Sequence, residues 1–200
     1  VARPKEFDPD VAVEAAMNLF WANGYAATTP GELVDHLGIG RGSLYNTFHS
    51  KGALYQRALG LYRDATTAQL HAALDSEGSP AQRLRRTIGL IVTASSSEDD
   101  RRGCLMTNAA IETAPRDPKT AEVVARVLEA QVEAFRAVIV EGQAVGEIAR
   151  DRDPGELARY LVTFLNGIRV MQRASADPAA LRPLADLAVD AVLGRPVATD

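Results

Sequence analysis

Six times along this chain a residue that can cap a helix is followed at once by proline: Asp8-Pro9, Thr29-Pro30, Ser79-Pro80, Asp117-Pro118, Asp153-Pro154 and Asp177-Pro178. A short polar side chain accepts a bond from the open amides of a first turn, and proline suits the first helical position because its missing N–H has no partner there anyway. Each pair is therefore a helix start. Glycine-limited starts near Arg41 and Lys51, and one after Gly103, bring the expectation to about nine helices. Their expected ranges are 9–24, 30–37, 41–47, 51–75, 80–96, 104–113, 118–145, 154–175 and 178–193. Apolar residues recur at helical spacing, as in Val123, Val127, Val132, Phe135, Val138 and Ile139, and alternating β-branched runs are absent. The expected fold class is all-α. Pro183 breaks a local rule, because a proline inside a helix removes a backbone bond; it predicts a kink or a later start near Arg182.

The stretch TPGELVDHLGIGRGSLYNTFHSK, residues 29 to 51, reads as two short helices joined by a glycine-bracketed turn. Thr29 and Glu32 have the spacing of a capping box, in which each side chain bonds the other's backbone amide. Leu33, Val34 and Leu37 give the first helix one apolar face, and Gly38 suits the left-handed residue that closes it, with Ile39 folding back. The second helix turns Leu44 and Phe48 inward at four-residue spacing and leaves Arg41, Gly42, Ser43, Tyr45, Asn46 and Thr47 outside. That is a helix-turn-helix with a short, polar, basic outer surface. Leu33, Leu37, Ile39, Leu44 and Phe48 are read as core, and His36 and His49 as surface.

With 46% hydrophobic and 24% charged residues in a chain of 200, a buried core is expected. No run approaches the length of a membrane span and no charged-then-apolar leader opens the chain, so a soluble cytoplasmic protein is expected; the start at Val1 is read as the loss of a few residues. One cysteine excludes an internal disulfide, and three scattered histidines offer no metal-ligand spacing. The net charge of −4 argues against a protein that coats nucleic acid without regard to sequence. Locally the balance differs: between Gly38 and Gly52 the chain carries Arg41, His49 and Lys51 and no acid. Screening makes that local field the one a nearby phosphate meets.

The phrase GYAATTPGELVDHLGIGRGSLYNTFHSK resembles the DNA-binding unit of the TetR family of bacterial transcriptional regulators, which typically reads GY..T....IA...GVS.G.LY.HF..K. Agreement covers residues 8 to 60, through Phe20, Gly24-Tyr25, Thr29, Leu37-Gly38-Ile39, Gly42, Leu44-Tyr45, Phe48 and Ser50-Lys51. The resemblance implies a homodimeric regulator, a repressor, that binds double-stranded operator DNA and answers to a small-molecule effector. It places Thr29, Tyr45 and Lys51 on phosphates and Arg41, Gly42, Ser43 and Asn46 in the major groove, with Thr47 on the same outer face. The chemistry of the residues agrees: a helix N-terminus favours an anion, a phenol and an ammonium donate to phosphate, arginine pairs with guanine and asparagine with adenine. Two positions depart from the pattern. Gly40 replaces the usual capping serine, and Gly31 stands where some members carry a base-reading arginine.

On this reading residues 1–52 form the DNA-binding domain and residues 53–200 the ligand-binding and dimerisation domain, with the helix from Lys51 shared between them. Polar groups dotted through apolar faces are the expected effector contacts: Asn108 and Glu112 on one helix and Thr163, Asn166 and Arg169 on another, with Met106, Phe135, Phe164 and Met171 nearby. The last two helices are expected to pair with their copies through Leu157, Leu161, Val162, Leu165, Leu184, Leu187, Val189 and Val192. Cys104, after Arg101-Arg102-Gly103 at a helix start, is the candidate for redox or electrophile sensing, with packing as the plain alternative. No catalytic triad, carboxylate pair or cofactor loop can be assembled, so no catalytic residue, cofactor or metal is expected. The alternative readings are a small helical enzyme acting on an apolar ligand, and an interaction module that keeps the three-helix unit as scaffold.

Overall fold

The computed structural model describes residues 7–93, 102–174 and 177–194. Among them are nine α-helices and no strand: α1 (Pro9–Asn23), α2 (Pro30–Leu37), α3 (Arg41–Phe48), α4 (Lys51–Leu74), α5 (Pro80–Thr93), α6 (Leu105–Glu112), α7 (Pro118–Val145), α8 (Pro154–Arg173) and α9 (Pro178–Leu193). The all-α expectation holds, and every cap-proline pair opens a helix. The carboxylates of Asp8, Asp153 and Asp177 accept from the amides of Asp10 at 2.9 Å, Glu156 at 2.8 Å and Ala179 at 2.9 Å. Ser79 acts differently, donating its own amide to Gln82 Oε1 at 3.0 Å. The expected tail of α5 beyond Thr93 and most of the turn at 95–103 lie outside the described residues, as does Arg101.

Pro183 does not delay the last helix, contrary to the sequence expectation of a start near Arg182. Helix α9 begins at Pro178 and runs through Pro183. The proline is exposed, so the carbonyl it leaves without an amide partner can turn to water.

The chain forms two compact units. The first comprises residues up to 65 together with 104–125, and so holds α1 to α3, the opening of α4, α6 and the start of α7. Phe20, Leu33, Ile39, Leu44, Phe48, Leu54 and Leu59 are buried in it, as expected for Leu33, Ile39, Leu44 and Phe48, four of the five residues read as core from the sequence. Leu37 is only half-buried. Aromatic rings knit the unit: Tyr55 lies edge-on to Phe20 at 5.0 Å and against Tyr25 at 4.7 Å between centroids. Burial pushes the Tyr55 phenol up to about 12, which keeps it neutral and bonded to Thr113 Oγ1 at 3.2 Å.

The second unit comprises residues 66–103 and 126 onward. Its core draws on α5, α7, α8 and α9, with Leu84, Ile88, Phe135, Ile139, Leu161 and Val192 at its centre. Here the sequence reading of the dimer face needs correction. Leu157, Leu161, Val162, Leu165, Val189 and Val192 are all buried in this chain's own core, and Leu184 packs against it. Of the eight residues assigned to a partner only Leu187, 44% exposed, faces outward. On these two helices the large apolar groups that face outward are instead Tyr160, Val170 and Met171 of α8 and Leu187 of α9.

Candidate nucleic-acid interface

The helix-turn-helix forms from local chemistry. Thr29 and Glu32 build the capping box: the Thr29 hydroxyl accepts from the Glu32 amide at 3.2 Å, and Glu32 Oε2 accepts from the Thr29 amide at 2.7 Å. The bond from the Thr29 amide foremost, with a second from the Thr29 hydroxyl to the same oxygen, holds the Glu32 carboxyl below its usual range. Gly38 closes α2 in the left-handed conformation at φ 63°, and the Ile39 amide donates back to the Val34 carbonyl at 3.3 Å. Helix α3 then opens at Gly40, which has no side chain to cap it. The amides of Arg41, Gly42 and Ser43 therefore lack side-chain acceptors at an exposed helix end, where partial positive charge collects.

Arg41, Gly42, Ser43 and Asn46 are exposed, while Tyr45 and Thr47 are half-buried. Leu44 and Phe48 face inward and anchor the helix. Among the described residues neither the Arg41 guanidinium nor the Asn46 amide nor the Tyr45 hydroxyl has a hydrogen-bond or ionic partner. The structure thus presents these side chains outward with their donors unused, on a segment without an acid.

Thr29 and Lys51, both assigned to phosphates from the sequence, are engaged within the protein. The single hydroxyl hydrogen of Thr29 goes to Glu32 Oε2 at 2.9 Å. The Lys51 ammonium donates to the carbonyls of Tyr25 and Thr28, each at 2.9 Å, and lies 4.2 Å from the centre of the Tyr25 ring. Lys51 is half-buried and has one N–H left. At the N-terminus of α2 the donor that remains open is the amide of exposed Gly31, which the sequence reading passed over because it weighed that position for a side chain.

The corner between α3 and α4 is tight. His49 has φ 66° and ψ −43°, and the Ser50 amide donates to the Phe48 carbonyl at 2.7 Å, a three-residue γ-turn. A positive φ on a residue with a side chain is strained, and it ends α3 one residue past its last inward anchor.

The residues expected to bind an effector do not share one unit. Met106, Asn108 and Glu112 belong to the first, and Phe135, Thr163, Phe164, Asn166, Arg169 and Met171 to the second. Met106 and Phe135 are buried, whereas Thr163 is exposed and Met171 is 46% exposed. The Asn166 amide donates to the Val162 carbonyl at 2.8 Å, a turn within its own helix. Arg169 lies within 3.4 Å of Gln172 Oε1. Glu112 is taken up by the α1–α2 turn, where its two oxygens accept from the amides of Tyr25 at 3.0 Å and Ala26 at 2.7 Å. Cys104 caps the N-terminus of α6 through its backbone and is half-buried. A cleft of about 810 Å³ in the second unit, lined by Ser79, Gln82, Arg85, Arg86 and Glu147 among others, includes none of the expected effector contacts. Among the described residues no cluster of metal-ligating side chains occurs, and no helix is long and apolar enough to cross a membrane.

Comparison with known proteins bears directly on this arrangement. Residues 12–58 match the family of bacterial regulatory proteins named tetR, and residues 80–187 match the tetracyclin repressor-like C-terminal domain. The chain is 30% identical over 190 residues to YezE, an uncharacterized HTH-type transcriptional regulator of Bacillus subtilis, covering 94% of this chain and 98% of that one. It is 31% identical over 184 residues to the HTH-type transcriptional repressor ComR of Escherichia coli, covering 92% and 88%. Among solved structures, a cysteine mutant of the TetR family regulator CifR, complexed with 26-base-pair double-strand operator DNA, superposes with a TM-score of 0.85 at 28% identity. That match covers 96% of this chain and 100% of the other. With the helix-turn-helix matched at one end and the repressor-like domain over more than half its length, the chain belongs to the TetR family of bacterial transcriptional regulators.

Proposed function

We propose that the protein is a repressor that binds a pseudo-palindromic operator as a homodimer and is released by a small, mostly apolar effector. The observation that carries this is the set of unused donors on a segment without an acid: the Arg41 guanidinium, the Asn46 amide, the Tyr45 hydroxyl and the open amides at the start of α3. Donors held by water alone are free to exchange it for a partner, and a duplex is a partner whose acceptors match. Arg41 contacts guanine and Asn46 adenine in the major groove, with Gly42 and Ser43 against the base edges and Thr47 at the rim. Tyr45, the last N–H of Lys51, the Gly31 amide and the Thr29 corner hold phosphates. Residues 1–52 carry the reading surface and residues 53–200 the effector and dimer functions.

The dimer joins α8 and α9 to their copies through Tyr160, Val170, Met171 and Leu187, the large apolar groups that these two helices leave outward. Two reading surfaces then sit about 34 Å apart or a multiple of it, one helical turn of DNA. An effector acts by favouring a different spacing, which requires unequal affinity for the two states. A titration of the protein against the DNA upstream of its own gene, and against random DNA, at two salt concentrations tests the reading. Specific binding several hundredfold tighter than random, falling steeply with salt, is the expected outcome. Equal affinity for both DNAs, or none, sinks it.

A further inference from the structure

We propose that Glu112, the last residue of α6, is a positioning residue for DNA recognition: its carboxylate holds the α1–α2 turn in the shape that presents α2 and α3 to the duplex. This rests on the DNA-binding reading above and goes beyond it, by naming the part of the molecule on which the reading surface depends. The turn from Gly24 to Thr29 has no regular ladder to satisfy its peptide groups. Two ions do so from opposite sides. Glu112 Oε2 and Oε1 accept from the amides of Tyr25 and Ala26, at 3.0 and 2.7 Å. Lys51, at the start of α4, donates to the carbonyls of Tyr25 and Thr28. The Thr28 hydroxyl closes the turn on the Gly24 carbonyl at 2.7 Å. Gly24, at φ 85°, leaves room for the carboxylate, since a Cβ there would stand 3.1 Å from Glu112 Oε2.

The next residue after this clamp is Thr29, which caps α2, and α2 packs on α3. The clamp therefore sets where the recognition helices begin. Glu112 is half-buried, and a carboxylate accepting from two amides makes charge-assisted bonds stronger than those between neutral groups. Such bonds fail once the atoms separate beyond hydrogen-bonding range, so a shift of α6 by about 1 Å is enough to let go of the turn. The adjacent Thr113 is tied to Tyr55 of α4, so the C-terminal end of α6 touches both the turn and the helix that follows α3.

Operator affinity, thermal unfolding and amide exchange are measured for the wild type, Glu112→Gln, Glu112→Ala and, as a control, Ile111→Ala at an exposed neighbour on the same helix. The alanine variant is expected to bind the operator about tenfold more weakly with its unfolding midpoint nearly unchanged, and with faster exchange at the Tyr25 and Ala26 amides. Gln, which keeps one acceptor oxygen, restores part of the affinity, and Ile111→Ala binds as the wild type does. Affinities within twofold of wild type for both Glu112 variants overturn the proposal, as does weakened binding that only follows a loss of folded protein with Gln no better than Ala. A wild type that shows no specific DNA binding overturns this proposal and the functional reading beneath it together; a wild type that binds, beside variants that bind equally well, overturns this one alone.

Discussion

Gly42 stands in α3 at a place where the protein itself asks for no glycine. A Cβ added there would meet no atom within 4 Å, and the backbone is helical. Glycine is a poorer helix former than alanine, by up to about 1 kcal/mol, so the missing side chain is best explained by something outside the chain. If that something is a base edge, Gly42→Ala raises stability by about 0.5–1 kcal/mol and at the same time weakens operator binding. Thermal unfolding and a DNA titration on one preparation check both signs; a variant that is more stable and binds undiminished removes the clearance argument. His49 is the opposite case, a side chain where the backbone favours glycine. His49→Gly is expected to stabilise the α3–α4 corner by about 1 kcal/mol, read from chemical unfolding.

The capping box ties one helix to pH. Its Glu32 carboxyl titrates below the ordinary glutamate range because the Thr29 amide and hydroxyl bond the charged form. The box is thus fully formed above the unfolded-state value and opens as pH falls through the lower folded one. Protection of the Thr29 amide, the slowing of its exchange relative to the unstructured rate at the same pH, should be high at neutral pH and fall on acidification, and Glu32→Gln should remove that pH dependence; wild-type protection that stays flat into acid would contradict the assignment. Helix starts of this kind were legible in the sequence because a cap and its proline are chain neighbours, and Gly38 announced the end of α2 for the same reason. Lys51 and Glu112 were not legible. Their partners on the α1–α2 turn lie 23 to 26 and 86 to 87 residues away, and no periodicity records such a meeting. The leucines and valines of α8 and α9 misled in another way: helical spacing shows that a face is covered, but not whether this chain or its copy covers it.

If the apolar residues left outward on α8 and α9 form the dimer face, dimerisation is a separable step. Leu187→Arg places a charge on that face without entering the core, so the monomer should remain folded while the dimer dissociates, as followed by sedimentation. Operator affinity should fall with it, since two half-sites can no longer be held together; undiminished affinity in a monomeric variant would show that one reading surface suffices. What meets the outer face of α3 is decided at Arg41. Binding of Arg41→Ala to the operator, measured across a range of salt concentrations and against single-base variants of each half-site, is expected to show weaker binding, a shallower salt slope and lost discrimination at one guanine. Wild-type affinity, slope and discrimination in that variant would mean that the helix does not face the duplex.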